Sequence, residues 1–108
     1  MVTQHLVAFH FKDSASEQDK KHVAAEIYKL KDRCKLQSGE TYVTITGGKN
    51  HSTEGFNKNL EHGYILTFPS KKERDYYNDH DQAHLDFKKV ALEFVDDLLI
   101  LDFDDDAF

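Results

Sequence analysis

QHLVAFHFK, residues 4–12, alternates with period two and sets His5, Val7, Phe9 and Phe11 on one face of a strand, with Leu6, Ala8 and His10 on the other. Both faces carry apolar side chains, so this strand needs cover on two sides. Downstream, Ser14 and Glu17 stand at capping-box spacing, and Val23, Ile27, Leu30 and Cys34 follow at steps of four, three and four. That spacing predicts a helix from about Glu17 to Arg33. ETYVTIT, 40–46, is β-branched and aromatic and stops at Gly47-Gly48, which predicts a second strand closed by a glycine turn. The polar stretch 47–61 reads as a loop, long enough to serve as a lid or pocket rim. His62 to Phe68 alternates again, with His62, Tyr64, Leu66 and Phe68 on one face, and Pro69 ends it. Ser70 and Glu73 repeat the capping signal for a short helix, and Asn78-Asp79-His80-Asp81 interrupts it. A longer helix follows with Ala83, Phe87, Val90, Ala91, Phe94 and Val95 as its apolar stripe. LLILDF, 98–103, is apolar on both faces and makes the last strand.

The order β-α-β-β-α-β predicts an α+β, ferredoxin-like domain over residues 1–108, with a four-stranded antiparallel sheet and its helices on one face. The other face is left bare yet carries Leu6, Ala8 and one set of the last strand's residues. Two copies packed sheet to sheet would bury it, so a homodimer is expected. Hydrophobic residues make up only 39% of the chain, which agrees with a core completed by a partner.

Twenty acidic against fourteen scattered basic residues give a net charge of -6, which disfavours nucleic acid and anionic membranes as partners. No apolar run approaches the ~18 residues of a membrane span. The opening MVTQHLVAFHF lacks a signal-peptide pattern, and Cys34 is the single cysteine, so a reducing, cytoplasmic setting is expected.

Several segments together resemble the stress-responsive α/β barrel, or Dabb, family: His5-Leu6-Val7 with Phe11-Lys12, Gly55-Phe56-Asn57-Lys58 leading to His62, Thr67-Phe68, Ala83-His84-Leu85-Asp86-Phe87, and Leu99-Ile100-Leu101-Asp102-Phe103. The chain departs from the family pattern at two places. Asp81-Gln82-Ala83-His84 lacks the usual proline, and Leu60-Glu61-His62 keeps only the histidine of the strand motif. The resemblance implies a dimeric α+β barrel with a pocket between sheet and helices in each subunit. It also implies a polyketide cyclase type of activity, an aldol condensation without a cofactor, with His84 as the base. The tyrosine preceding that histidine in the cyclase aligns with Asn78 without a gap, and with Tyr77 if one residue is inserted.

The residues themselves point the same way. His5 shares its face with Val7 and Phe9, His62 shares its face with Tyr64, and His84 flanks the stripe that holds Phe87. If these are the helix-facing sides, the three imidazoles look into one cavity. A neutral imidazole there suits proton abstraction next to a carbonyl, and a tyrosine hydroxyl suits the developing oxyanion. The expected site is therefore His84 and Tyr77 for catalysis, with His5, Val7, Phe9, His62, Tyr64 and Phe87 around a small organic molecule. No metal is expected, because a helix start between His80 and His84 breaks their shared face and no HExxH pattern is present. The same residues are compatible with a non-catalytic stress-stability or binding protein, and more weakly with a cofactor-free oxygenase.

Overall fold

The computed structural model covers residues 1–108. Its elements are β1 (Thr3–Phe11), α1 (Glu17–Arg33), β2 (Thr44–Lys49), β3 (His62–Phe68), α2 (Lys71–Asp79), α3 (Gln82–Phe94) and β4 (Val95–Asp104). The strands form one antiparallel sheet in the order β2-β3-β1-β4, the ferredoxin-like arrangement with a short extra helix, α2, ahead of α3.

β1 is central, and its registers decide which residues share a face. His5, Val7 and Phe9 pair with Leu66, Tyr64 and His62 of β3, and with Asp102, Ile100 and Leu98 of β4. Directly paired residues point to the same side, so all nine face the helices. Val7, Phe9, Phe11, Tyr64, Leu66 and Phe68 pack there against Val23, Ile27 and Leu30 of α1 and Phe87 and Ala91 of α3.

α1 spans the predicted residues, but its cap is Ser16 rather than Ser14. A turn in which Ala15 N–H donates to the Lys12 carbonyl (2.9 Å) leaves Ser16 as the last extended residue. Ser16 Oγ then accepts from Asp19 N–H at 3.0 Å, and Asp19 Oδ2 accepts from Ser16 N–H at 2.9 Å.

β2 also differs from its expectation. It begins at Thr44 and runs through both glycines, which pair with Tyr64 and Gly63. Gly47 is there for close approach, not for a turn: a Cβ added to it would lie 2.4 Å from Tyr64 Cδ1 and 2.6 Å from the Gly63 carbonyl oxygen. The loop accordingly shortens to 50–61. Tyr42 and Val43, outside the strand, are buried in the core.

β4 starts at Val95, directly after α3, three residues earlier than predicted. Its open-side residues Leu99, Leu101 and Phe103 lie beside Ala8, Leu6 and Gln4, and Leu6 also pairs with Ile65. Leu99, Leu101, Phe103 and Ile65 are all 41 to 54% exposed, forming an apolar strip on the sheet face that carries no helix.

The two glycines give a direct check on the packing. Gly47→Ala should cost about 1–3 kcal/mol through overpacking against Tyr64, whereas Gly48→Ala, whose Cβ would meet nothing within 4 Å, should leave stability near wild type. Urea denaturation of the two variants measures the difference, and equal stabilities would refute the close-approach account.

Candidate functional site

A cavity of about 290 Å³ opens between the β1/β4 end of the sheet and the helices. β1 contributes His5, Val7 and Phe9; α2 contributes Tyr77 and Asn78; α3 contributes His84, Phe87, Lys88 and Ala91; β4 contributes Leu98, Ile100 and Asp102. Nine of its fourteen lining residues are hydrophobic, so its few polar groups stand out against apolar walls.

The first of these is His84, in the first turn of α3. Its Nδ1 lies 2.8 Å from the Tyr77 carbonyl oxygen, an acceptor only, so Nδ1 carries the proton and donates. Nε2 is then left with a free lone pair. Burial lowers the His84 pKa to about 4, outweighing the opposing pull of the Tyr77 carbonyl, and Lys88 adds to the lowering. The imidazole is therefore neutral near pH 7.

The second is His5, 5% exposed, with Nδ1 at 2.6 Å from Asp102 Oδ1. Arg74 Nη1 reaches the other Asp102 oxygen at 3.3 Å, holding the carboxylate from behind. The carboxylate accepts the Nδ1 proton, and Nε2 has no partner in the chain.

Between the two imidazoles lies Tyr77. Its ring stacks on His84 at 3.8 Å and meets His5 edge-on at 5.9 Å. Burial raises its hydroxyl far above the usual phenol range, so it stays protonated. That hydroxyl makes no hydrogen bond within the chain, and no sealed side-chain oxygen lacks a partner, so it is open to a ligand. Asn78 lines the same cavity, so the structure brings both alternatives for the tyrosine position to one wall.

A junction built on Asp81 holds this wall. Asp81 N–H donates to the Tyr76 carbonyl at 2.9 Å, its Oδ1 accepts from Ala83 N–H at 3.0 Å to cap α3, and its Oδ2 accepts from the Tyr42 hydroxyl at 2.5 Å. Asp81 is 4% exposed, so these donors are what make a carboxylate tolerable there.

His62 and Tyr64, expected in the same cavity, lie elsewhere. Strand alternation fixes a residue's face but not its position along the face, and His62 pairs with Phe9, four residues from His5, which is about 13 Å along β1. The rings of Phe9, Phe11 and Tyr64 occupy the sheet around it, with Phe9 at 6.2 Å from Phe11 and 5.9 Å from Tyr64. His62 faces a different, polar cleft.

Asp102 and Arg74 escaped the sequence reading. The signal for Asp102 was present: an acid within LLILDF falls on the same strand face as Leu98 and Ile100, where a charge needs a partner. Cys34 is fully buried, its thiol pushed up to about 12 by that burial, which makes it unreactive.

The profile of the stress responsive A/B barrel domain matches residues 3–105. The chain belongs to that family. Among solved structures, this A/B barrel protein is similar to an Arabidopsis thaliana protein at TM-score 0.85 and 24% identity, covering 98% of this chain and 97% of that one. It is similar to the hydroxynitrile lyase of Passiflora edulis at TM-score 0.80 and 17% identity, covering 99% and 96%. A ferredoxin-like protein from Jannaschia sp. CCS1, described as dimeric, aligns at TM-score 0.76 and 17% identity over 96% and 99%. At these identities the likeness establishes the fold. No curated protein gives a match. No helix is long and apolar enough to cross a membrane.

The depressed His84 pKa has a stability consequence. In the unfolded chain the imidazole takes up its proton near pH 6.5, whereas in the fold it does so only near 4. Stability present above 6.5 is therefore lost as pH falls toward 4. His84→Gln should remove on the order of 2 kcal/mol of that loss between pH 7 and pH 4. Urea melts across this range check it, and an unchanged pH slope in the variant would contradict the buried, neutral placement.

Proposed function

We propose that this A/B barrel protein is a cytoplasmic homodimer that binds a small organic carbonyl compound in the His5/His84 cavity and acts on it by proton transfer without a cofactor, as a lyase or cyclase. The observation that carries this reading is the pair of imidazoles whose Nδ1 protons are both engaged by the chain, at His84–Tyr77 and His5–Asp102. The His84 Nε2 lone pair and the unpartnered His5 Nε2 are thereby left for a ligand, in a cavity with apolar walls.

In an aldol-type step, His84 Nε2 takes the proton from the carbon next to a carbonyl. The Tyr77 hydroxyl donates to the enolate oxygen, and the carbanion forms a carbon–carbon bond to a second carbonyl of the same molecule. The resulting alkoxide is protonated by His84, so the base is regenerated and no redox partner is needed. His5, held by Asp102, orients the substrate by a hydrogen bond between its Nε2 and a polar group of the same molecule. A lyase runs the same bond change in reverse. One fold neighbour is a hydroxynitrile lyase, which supports the view that this architecture accommodates such chemistry.

The dimer is supported by the exposed Leu99, Leu101, Phe103 and Ile65 on the helix-free sheet face, and by fold neighbours described as dimeric. Light scattering should give about twice the 12.5 kDa chain mass, and Leu101→Asp should shift it toward the monomer with helix content retained. A monomeric wild type at micromolar concentration would overturn the pairing.

Binding without turnover is the second reading. It is favoured by the low His84 pKa, because a weak base pulls less on a carbon acid. Assays with cyanohydrins and with polyketide thioesters separate the two. If the protein is a lyase or cyclase, His84→Ala should lower turnover by about 10²–10⁴-fold with the fold intact. Tyr77→Phe should lower kcat with ligand affinity retained. Ligand binding with no turnover across both substrate classes would leave the binding role.

A further inference from the structure

The largest concavity of the molecule is a second one, a polar cleft of about 620 Å³ between the β1–α1 connection and the 50–61 loop. It shares no residue with the His84 cavity. We propose that this cleft is a second ligand site, for a small hydrophilic anion bearing a carboxylate or phosphate group, held by His62, Lys12, Lys49 and Asn57.

His62 is the buried anchor. It is 9% exposed, its ring stands edge-on to Phe11 at 4.9 Å, and its Nδ1 lies 3.3 Å from the Tyr64 hydroxyl. Burial raises that phenol to about 12 and lowers the His62 pKa, so near pH 7 the phenol is protonated and the imidazole is neutral. The Tyr64 hydroxyl makes no other hydrogen bond and can donate to Nδ1 or accept from it, and an anion selects the form in which it donates. A neutral ring that accepts at Nδ1 carries its own proton at Nε2. Nε2 has no partner in the chain, yet no sealed side-chain nitrogen lacks one, so this N–H is reached from outside. The polar cleft is the largest opening His62 lines.

The charges around it are unevenly committed. Glu61 is fully engaged: it accepts from Lys20 Nζ at 2.8 Å and from Phe11 N–H at 2.9 Å, so its charge is neutralised in place. Glu17 is tied to the same lysine at 3.4 Å. Lys12 and Lys49 make no ion pair. Asn57 Oδ1 accepts from Asn59 N–H, which leaves its amide donors free. Lys20 offsets only one of the two carboxylates it meets, so Glu17 and Asp13 stand against Lys12 and Lys49 and the cleft is neutral overall. An anion therefore meets a neutral N–H on the floor, two uncommitted ammonium groups and an amide. The net charge of -6 repels anions at a distance, so binding here has to come from these local donors and not from general attraction.

The test is an NMR titration of the isotope-labelled full chain with inorganic phosphate and with citrate at fixed ionic strength, against sodium chloride and glycerol as controls. Saturable shifts are expected at the His62 ring and at the Lys49 and Asn57 amides, with the His84 ring unmoved. Saturation by only one of the two anions assigns the site to phosphate or to carboxylate ligands. Lys12→Ala and Lys49→Ala, both surface changes that leave the core intact, should each weaken binding about fivefold, the loss of roughly one charge-assisted contact. His62→Phe should abolish it. Shifts that grow linearly, that chloride or glycerol reproduces, or that persist unchanged in both lysine variants would overturn the site.

Discussion

The double pairing of β1 is the constraint on which the molecule depends. With period-two side chains, a slip of one residue against either neighbour would turn His5, Val7 and Phe9 to the open face and Leu6 and Ala8 to the helices. In the observed register His5 stands between Leu66 and Asp102. One neighbour supplies packing and the other supplies the carboxylate that fixes the imidazole's tautomer. The same alignment delivers Leu101 and Leu99 to the face shared with Leu6 and Ala8, so a single register sets both the cavity and the apolar strip. β4 closes this arrangement without a connecting loop: the Lys12 N–H donates to the Phe94 carbonyl at 2.8 Å where α3 passes into the strand.

The second determinant is the α2–α3 junction. A buried carboxylate is costly unless its lone pairs are used, and Asp81 uses them on the α3 cap and on the Tyr42 hydroxyl, from the segment leading into β2. This tie explains how α2 can stop at Asp79 and still present Tyr77 and Asn78 to the cavity. The Tyr77 carbonyl, near the end of α2, is free to accept from His84 for the same reason: the chain breaks before α2 could use it. The break in helix periodicity at 78–81 thus creates the acceptor that orients the imidazole.

Much of this was legible in the sequence because it rests on local rules. The span of α1, the span of β3, the helix stripe through Phe87 and Ala91, and the doubly apolar character of β1 and β4 all follow from periodicity. What was not legible depended on distance along a strand or across the fold. Gly47-Gly48 looks like a turn by composition, and only the Tyr64 ring lying against it shows why glycine belongs inside a strand. His62 shares the face of His5 but not its end of the sheet, which depends on the offset between β1 and β3. Asp102 stood in the sequence only as one residue of the last strand, and its partnership with His5 spans 97 positions of sequence. The element order supplied the fold, the family resemblance supplied the role expected of His84, and the register supplied its neighbours.

The low basicity of His84 bears directly on what the cavity can do. An imidazole with a pKa near 4 is almost wholly unprotonated at neutral pH, so none of it is lost to the inactive form, but its thermodynamic pull on a proton is weak. A carbon acid reacts with such a base only when the developing negative charge is stabilised as the proton leaves. The Tyr77 hydroxyl, stacked beside the imidazole and unpartnered, is placed to do this. In an apolar cavity its hydrogen bond to an enolate oxygen gains more than it would in water, since nothing else competes for the donor. The same apolar walls that weaken the base therefore strengthen the donor that compensates for it. A carbonyl ligand would also displace solvent from the imidazole and phenol together, so the weakening of the base and the strengthening of the donor both grow with occupancy.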